Sequence, residues 1–124
     1  ALEAVAHQTA DAVEAQSAAS GAPLPELRVV GGMVHNRWLM QFQADLLGVP
    51  VVVPRSADTT VLGAAYMAGT ASGLWTRENV RSMWTEAVRY EPKMCRDEAQ
   101  SLRSDWSRAV ERSREWATPV GARA

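Results

Sequence analysis

The sequence predicts an α/β fold, helix-rich and built on a βαβ core. Three observations carry that expectation. The apolar run Leu27 to Val30 meets the pair Gly31-Gly32 and, after Asn36, becomes an amphipathic helix. A second β-branched run, Val49-Pro50-Val51-Val52-Val53-Pro54, follows that helix. Strand, helix, strand in this order makes two parallel strands with a right-handed crossover, and the remaining segments read mainly as helix.

Composition agrees: 124 residues, 47% hydrophobic and 22% charged, describe one ordinary globular domain. A net charge of -1, with basic residues spread along the chain, argues against a nucleic-acid or membrane surface and leaves a small molecule or another protein as partner. Cys95 is alone, which excludes an internal disulfide and a multi-cysteine metal site and suits a reducing cytoplasm. No apolar run approaches the roughly 20 residues that span a bilayer. The chain opens at Ala1 inside a helical pattern without an initiator Met, so a piece of a longer protein is expected.

In chain order, Val5, Ala6, Ala12 and Val13 recur at helical spacing, giving a helix from Ala1 to about Ala19 that Ser20-Gly21 ends, with His7 on its surface. Pro23 and Pro25 make the following segment a connector. Asn36 caps the next helix, whose apolar face holds Leu39, Phe42 and Leu46; Gln41 and Asp45 take the opposite side, Asp45 being solvated or paired there, and Gly48 ends it. The Val51–Val53 strand is expected near an edge or with Pro50 at its start.

Asp58, Thr59 or Thr60 starts a small-sided helix to about Ser72, with Gly63 and Gly69 permitting close approach and Gly73-Leu74 giving a Schellman ending. Thr76 caps a short helix to Trp84, residues 88–92 look extended, and a last helix runs from about Arg96 to Trp116. With only two recognisable strands, apolar surface on Val29, Val51 and Val53 is expected to lack a partner.

The runs NRWLMQFQADLLGVPV and TTVLGAAYMAGTASGLW, the glycine turn before them and the opening ALEAVAHQTADAVEAQ are specific enough to name. They resemble the C-terminal part of the FGGY carbohydrate kinases, in the glycerol-kinase branch of that family. The resemblance implies an actin-like (ribonuclease H-like) ATPase fold. Residues 1–124 would be a fragment of its C-terminal domain, the nucleotide-binding half, with 94–124 as the C-terminal helix.

It also implies ATP as cofactor, with Mg in the complete enzyme, and ATP-dependent phosphorylation of glycerol. Glycerol would be reached only through an upstream part, and the complete enzyme could be a homo-oligomer. By position, Gly31 and Gly32 match the family's phosphate-side glycines, Met33 the small residue after them, and Asn36 the adenine-side Asn. The family usually has Asp before the glycines, where this chain has Val30, and Met33 is bulkier than the usual Ala or Gly. The family's catalytic aspartate has no match here.

Physical reasoning alone makes Gly31-Gly32 either a tight turn needing positive φ or an anion site backed by a helix N-terminus. Asn36 can be simply an N-cap. His35 has no acid or nucleophile near it in sequence, so no catalytic or metal role is assigned to it. The five tryptophans, at 38, 75, 84, 106 and 116, read as core and interface anchors. A degenerate or truncated kinase product acting as a non-catalytic structural or interaction module is the competing reading, motivated by Val30.

Overall fold

The computed structural model describes residues 1–56 and 58–114. In order these form α1 (Leu2–Ser20), β1 (Leu27–Arg28), a 3₁₀ turn (Gly32–His35), α2 (Arg37–Leu47), β2 (Val51–Pro54), α3 (Thr59–Ala71), α4 (Arg77–Met83), β3 (Glu86–Tyr90) and α5 (Arg96–Ser113). The extension of the last helix to Trp116 falls outside the described residues.

The sheet has the order β1-β2-β3, with β1 parallel to β2 and β3 antiparallel to it. The βαβ unit is therefore present, but β2 is the central strand and residues 86–90 form a third strand. The prolines bounding β2 are compatible with its central place. Pro50 contributes only its carbonyl, which accepts from Leu27 N–H at 2.8 Å, and Pro54 lies where the ladder to β3 shifts register. β1 is shorter than its apolar run, although Val29 N–H still donates to Val52 O at 3.0 Å. Because β3 flanks β2 and α2 covers it, Val51 is fully buried and Val53 nearly so; the unpartnered surface expected there is absent. The exposed apolar side chains include instead Val30, Val61, Met67 and Leu74.

The core forms around α2, which contacts α1, α5, β2 and β3. Leu39, Met40, Ala44 and Leu46 pack with Ala6, Val34 and Val51. Each such Leu contributes on the order of 1.5–3 kcal/mol through burial. The sequence brackets α2 chemically. Asn36 Oδ1 accepts from Leu39 N–H at 3.0 Å, and Gly48, at φ +68°, donates its N–H to Ala44 O at 2.8 Å. Above Gly48 lies the guanidinium of Arg96, which donates to the carbonyls of Asp45 and Leu46 at 3.4 and 3.3 Å. A Cβ at position 48 would collide with it.

Enclosure on several sides overturns two expectations drawn from helix faces. Asp45 is buried on a face expected to meet solvent, and of the two alternatives it is the partnered one: its carboxylate accepts from the backbone N–H groups of Lys93 and Met94 at 2.6 and 3.2 Å and from Gln41 Nε2 at 3.0 Å. His7 is also buried, because α5 crosses α1 there. Its ring stacks on Trp106 with centroids 5.0 Å apart and meets Phe42 edge-on at 6.0 Å. Arg103 ties the two helices, donating to Asp11 at 2.5 Å, to Glu14 at 3.0 Å and to the His7 carbonyl at 3.0 Å. Burial and the nearby Arg103 hold the His7 imidazolium below its ordinary pKa, against the opposite pull of Asp11 and Glu3. Burial pushes the Asp11 carboxyl up, but hydrogen bonds from Trp106 and Arg103 outweigh it and leave Asp11 below the usual range.

Asp58 does precede α3, but its carbonyl, accepting from Leu62 N–H at 3.1 Å, starts the helix; its side chain makes no capping bond. The Schellman pattern at the other end is present, with Leu74 N–H on Gly69 O at 2.8 Å and Gly73 N–H on Thr70 O at 3.2 Å. Leu74 is nevertheless 69% exposed, and the ring of Trp75 closes over Gly69 in its place. Thr76 and Asn79 form a reciprocal cap for α4, which ends at Met83. Among the described residues no helix is long and apolar enough to cross a membrane.

Candidate functional site

The parallel pair β1 and β2 runs toward one end of the sheet, and the glycine turn follows β1 at that end. Carboxyl ends of parallel strands are where α/β sheets place ligands, because helix N-termini and flexible loops converge there. Gly31 has φ +97° and ψ −180°, a region open essentially to glycine alone. The fold itself therefore requires Gly31.

Gly32 differs. Its φ is not positive, and a Cβ built on it meets nothing within 4 Å. Neither backbone strain nor crowding among the described residues asks for glycine there. Val34 N–H donates to Gly31 O at 3.3 Å to open the 3₁₀ turn, so the N–H groups of Gly32 and Met33 precede the first bond of that turn. Val34 is buried in the core and anchors the turn, whereas Met33 is 47% exposed.

Asn36 follows directly. Its side-chain oxygen is committed to the α2 cap, while its amide NH₂ takes no part in that bond. The residues singled out in the sequence, Gly31, Gly32, Met33 and Asn36, thus lie along one continuous turn between β1 and α2. Val30, which precedes them, is 53% exposed and presents no carboxylate.

Beside the turn is a cleft of about 330 Å³, lined by Val34, His35 and Arg37 on one side and by Val53, Arg55 and Tyr90 on the other. Arg37 and Arg55 did not stand out in the sequence; the signal for Arg55 was its place directly after β2. Farther along, Gly63 of α3 lines a second cleft of about 350 Å³ with Arg55, Thr59 and Trp84, while Gly69 is taken up by packing under Trp75. Among the described residues no three His, Cys, Asp or Glu side chains stand together as metal ligands.

Residues 1–72 match the model of the C-terminal domain of the FGGY family of carbohydrate kinases. That segment contains the glycine turn, α2, β2 and α3. The chain is 53% identical over 119 residues to a glycerol kinase of Trichlorobacter lovleyi, which covers 95% of this chain and 24% of that protein. It is 53% identical over 118 residues to a glycerol kinase of Dechloromonas aromatica, with 94% and 24% coverage. It thus spans about a quarter of the length of these relatives.

Among solved structures, glycerol kinase of Plasmodium falciparum with ADP superposes with a TM-score of 0.79 and 30% identity, over 90% of this chain and 22% of that one. Xylulose kinase of Rhodospirillum rubrum shares the fold at a TM-score of 0.74 and 22% identity, over 90% and 23%. The expected α/β class and kinase resemblance are borne out: the chain belongs to the FGGY family of carbohydrate kinases, its residues 1–72 matching that family's C-terminal domain.

Proposed function

We propose that this chain is the nucleotide-holding C-terminal part of an ATP-dependent glycerol kinase acting in the cytoplasm, with residues 94–124 as its terminal helical segment. Gly31, Gly32 and Met33 offer backbone N–H groups to the nucleotide phosphates, and the amide of Asn36 faces adenine. The observation that carries the reading is Gly32: nothing among its described neighbours requires glycine, so its bare backbone serves something that approaches from outside. The Plasmodium falciparum glycerol kinase, whose crystal structure is with ADP, agrees with it.

When bound, ATP supplies the phosphoryl group and Mg its charge neutralisation. The residues present here fit the nucleotide's binding but not the chemistry, because no position of this chain matches the family's catalytic aspartate and no three metal-binding side chains stand together among the described residues. Their work is to orient the nucleotide, while the base and the glycerol site belong to the portion of the relatives this chain does not span.

Titration of the folded chain with ATP, read by tryptophan fluorescence, tests the binding. Saturation is expected, and no change at millimolar ATP overturns it. Activity is tested by a chimera in which this chain replaces the C-terminal quarter of the Trichlorobacter lovleyi enzyme. Glycerol-dependent ADP formation is the expected result. A second reading, a degenerate module, is favoured by the exposed Val30 where the family usually has Asp. An inactive but folded chimera that gains activity on Val30→Asp would establish that second reading.

A further inference from the structure

Beyond its first turn, α5 is held to the rest of the molecule by one polar and aromatic patch. The first turn is fastened by Arg96 on the α2 carbonyls and by the fully buried Ala99. From Ser107 to Ser113 every residue is exposed. Between these stretches Leu102, Arg103 and Trp106 are partly buried, and the last two meet His7, Asp11 and Glu14 of α1. The rest of α5 is rich in charge, so little apolar burial holds it apart from this patch.

His7 is the centre of the patch. Its imidazole lies parallel to the Trp106 indole, with 9° between the planes, and edge-on to Phe42 of α2. Nδ1 is buried and has no hydrogen-bond partner among the described residues. In the neutral ring that atom can be the bare acceptor nitrogen, with the proton on Nε2. In the imidazolium both nitrogens carry N–H, and Nδ1–H becomes a buried donor facing no acceptor.

The charges around the ring leave this donor unanswered. Arg103, donating to the His7 carbonyl at 3.0 Å, opposes a second cation beside it. Asp11 and Glu3, one turn away on either side in α1, favour the cation, as does the face of Trp106. Asp11, however, already accepts from Arg103 through Oδ1 and from Trp106 Nε1 through Oδ2, and both Glu14 oxygens accept from Arg103. Glu3 and Asp105 of α5 line the cleft beside His7; Glu3 is exposed and Asp105 pairs with Arg108 at 2.7 Å. From α2 the ring meets the uncharged Phe42. The site accommodates a neutral imidazole, in accord with a pKa held low by burial first and Arg103 second.

We propose that His7 is a proton-operated latch for the C-terminal helix: neutral, it holds α5 on α1, and protonated, it lets α5 leave α1 from Leu102 onward while α2, the sheet and the Arg96 anchorage stay folded. Opening gives the imidazolium water in place of an absent acceptor and separates it from Arg103. It uncovers the rings of Trp106 and Phe42.

Amide hydrogen exchange of the full chain, resolved by NMR from pH 8 to 5.5 and corrected for its intrinsic pH dependence, tests the latch. Amides of residues 102–107 are expected to be at least about tenfold less protected than those of residues 41–47 in α2. Their protection should fall further toward acid, approaching tenfold by pH 5.5, because opening takes up one proton with an ordinary pKa of about 6.5. His7→Phe keeps a ring on Trp106 without a proton to bind and should hold that protection level across the range. His7→Gln removes the ring as well and should lower protection at every pH, also without a slope. Equal protection in α5 and α2 at every pH overturns the latch, since α5 would then leave only with the whole fold. An undiminished slope in His7→Phe overturns it too, and if that variant does not fold, the slope in His7→Gln decides in the same way.

Discussion

The carboxylate of Asp45 accepts a 2.6 Å hydrogen bond from the backbone N–H of Lys93, a residue 48 positions later. This bond, with its neighbour to Met94, fastens the segment between β3 and α5 to the helix that starts at the glycine turn. Asp45→Ala should destabilise the fold by about 1–3 kcal/mol, since it strands two partly buried backbone donors. Asp45→Asn keeps an acceptor and should lose less. Urea unfolding of both variants checks the order, and equal losses would show that the carboxylate's charge, not merely an acceptor of the same shape, holds these donors.

His7 should make stability depend on acidity. Its folded pKa lies below the ordinary 6.5, with burial the leading cause. Well above 6.5 both folded and unfolded forms are neutral and nothing is lost. As pH falls through 6.5 the unfolded chain takes up a proton that the folded chain resists, so stability declines toward acid. A thermal-midpoint series from pH 8 to 5.5 should slope downward, and His7→Gln should flatten it. An unchanged slope in that variant would assign the effect elsewhere.

Gly32→Ala separates fold from ligand. With no positive φ and open space at its Cβ, the variant should fold as well as the original or gain about 0.4–1 kcal/mol from a stiffer unfolded chain. ATP affinity should nonetheless fall by about tenfold or more, a difference of about 1.4 kcal/mol. Calorimetric titration beside thermal unfolding reads both, and undiminished ATP affinity would remove Gly32 from the nucleotide contacts.

Asn36 has two jobs that substitutions can divide. Asn36→Ala removes the acceptor for Leu39 N–H and should cost about 1 kcal/mol. Asn36→Asp keeps that acceptor but lacks the amide donor, so it should preserve stability while weakening adenosine. Adenosine is the appropriate probe because it carries no phosphate for the new carboxylate to repel. Unaltered adenosine binding in Asn36→Asp would leave Asn36 a cap alone.

Helix α2 was legible because its signals are local: Asn36 three residues before Leu39, Gly48 directly after the last turn, and a 3.6-residue apolar rhythm between. The glycine turn was legible for the same reason. Asp45 and His7 were misread because helical periodicity reports one buried face, whereas α2 and α1 are closed from a second direction by segments 48 and 99 residues away, at Lys93 and Trp106. The strand β3 was read only as extended because Glu86 to Val88 are exposed and give no apolar alternation; its pairing with β2 is a long-range fact. Arg37 and Arg55 join one cleft only once β2 is laid beside the 3₁₀ turn, which no spacing in the chain announces.

The guanidinium of Arg96 resting over Gly48 links two positions that the chain separates widely. A side chain at 48 is opposed twice, by its left-handed backbone and by the occupied space above it, and only the second obstacle disappears if Arg96 is shortened. Drift at 48 is therefore conditional on what stands at 96, and the two should covary across homologous sequences. A homologue with Asn at 48, the residue that best tolerates a left-handed backbone, should carry a smaller residue at 96 and leave the α2 carbonyls to solvent.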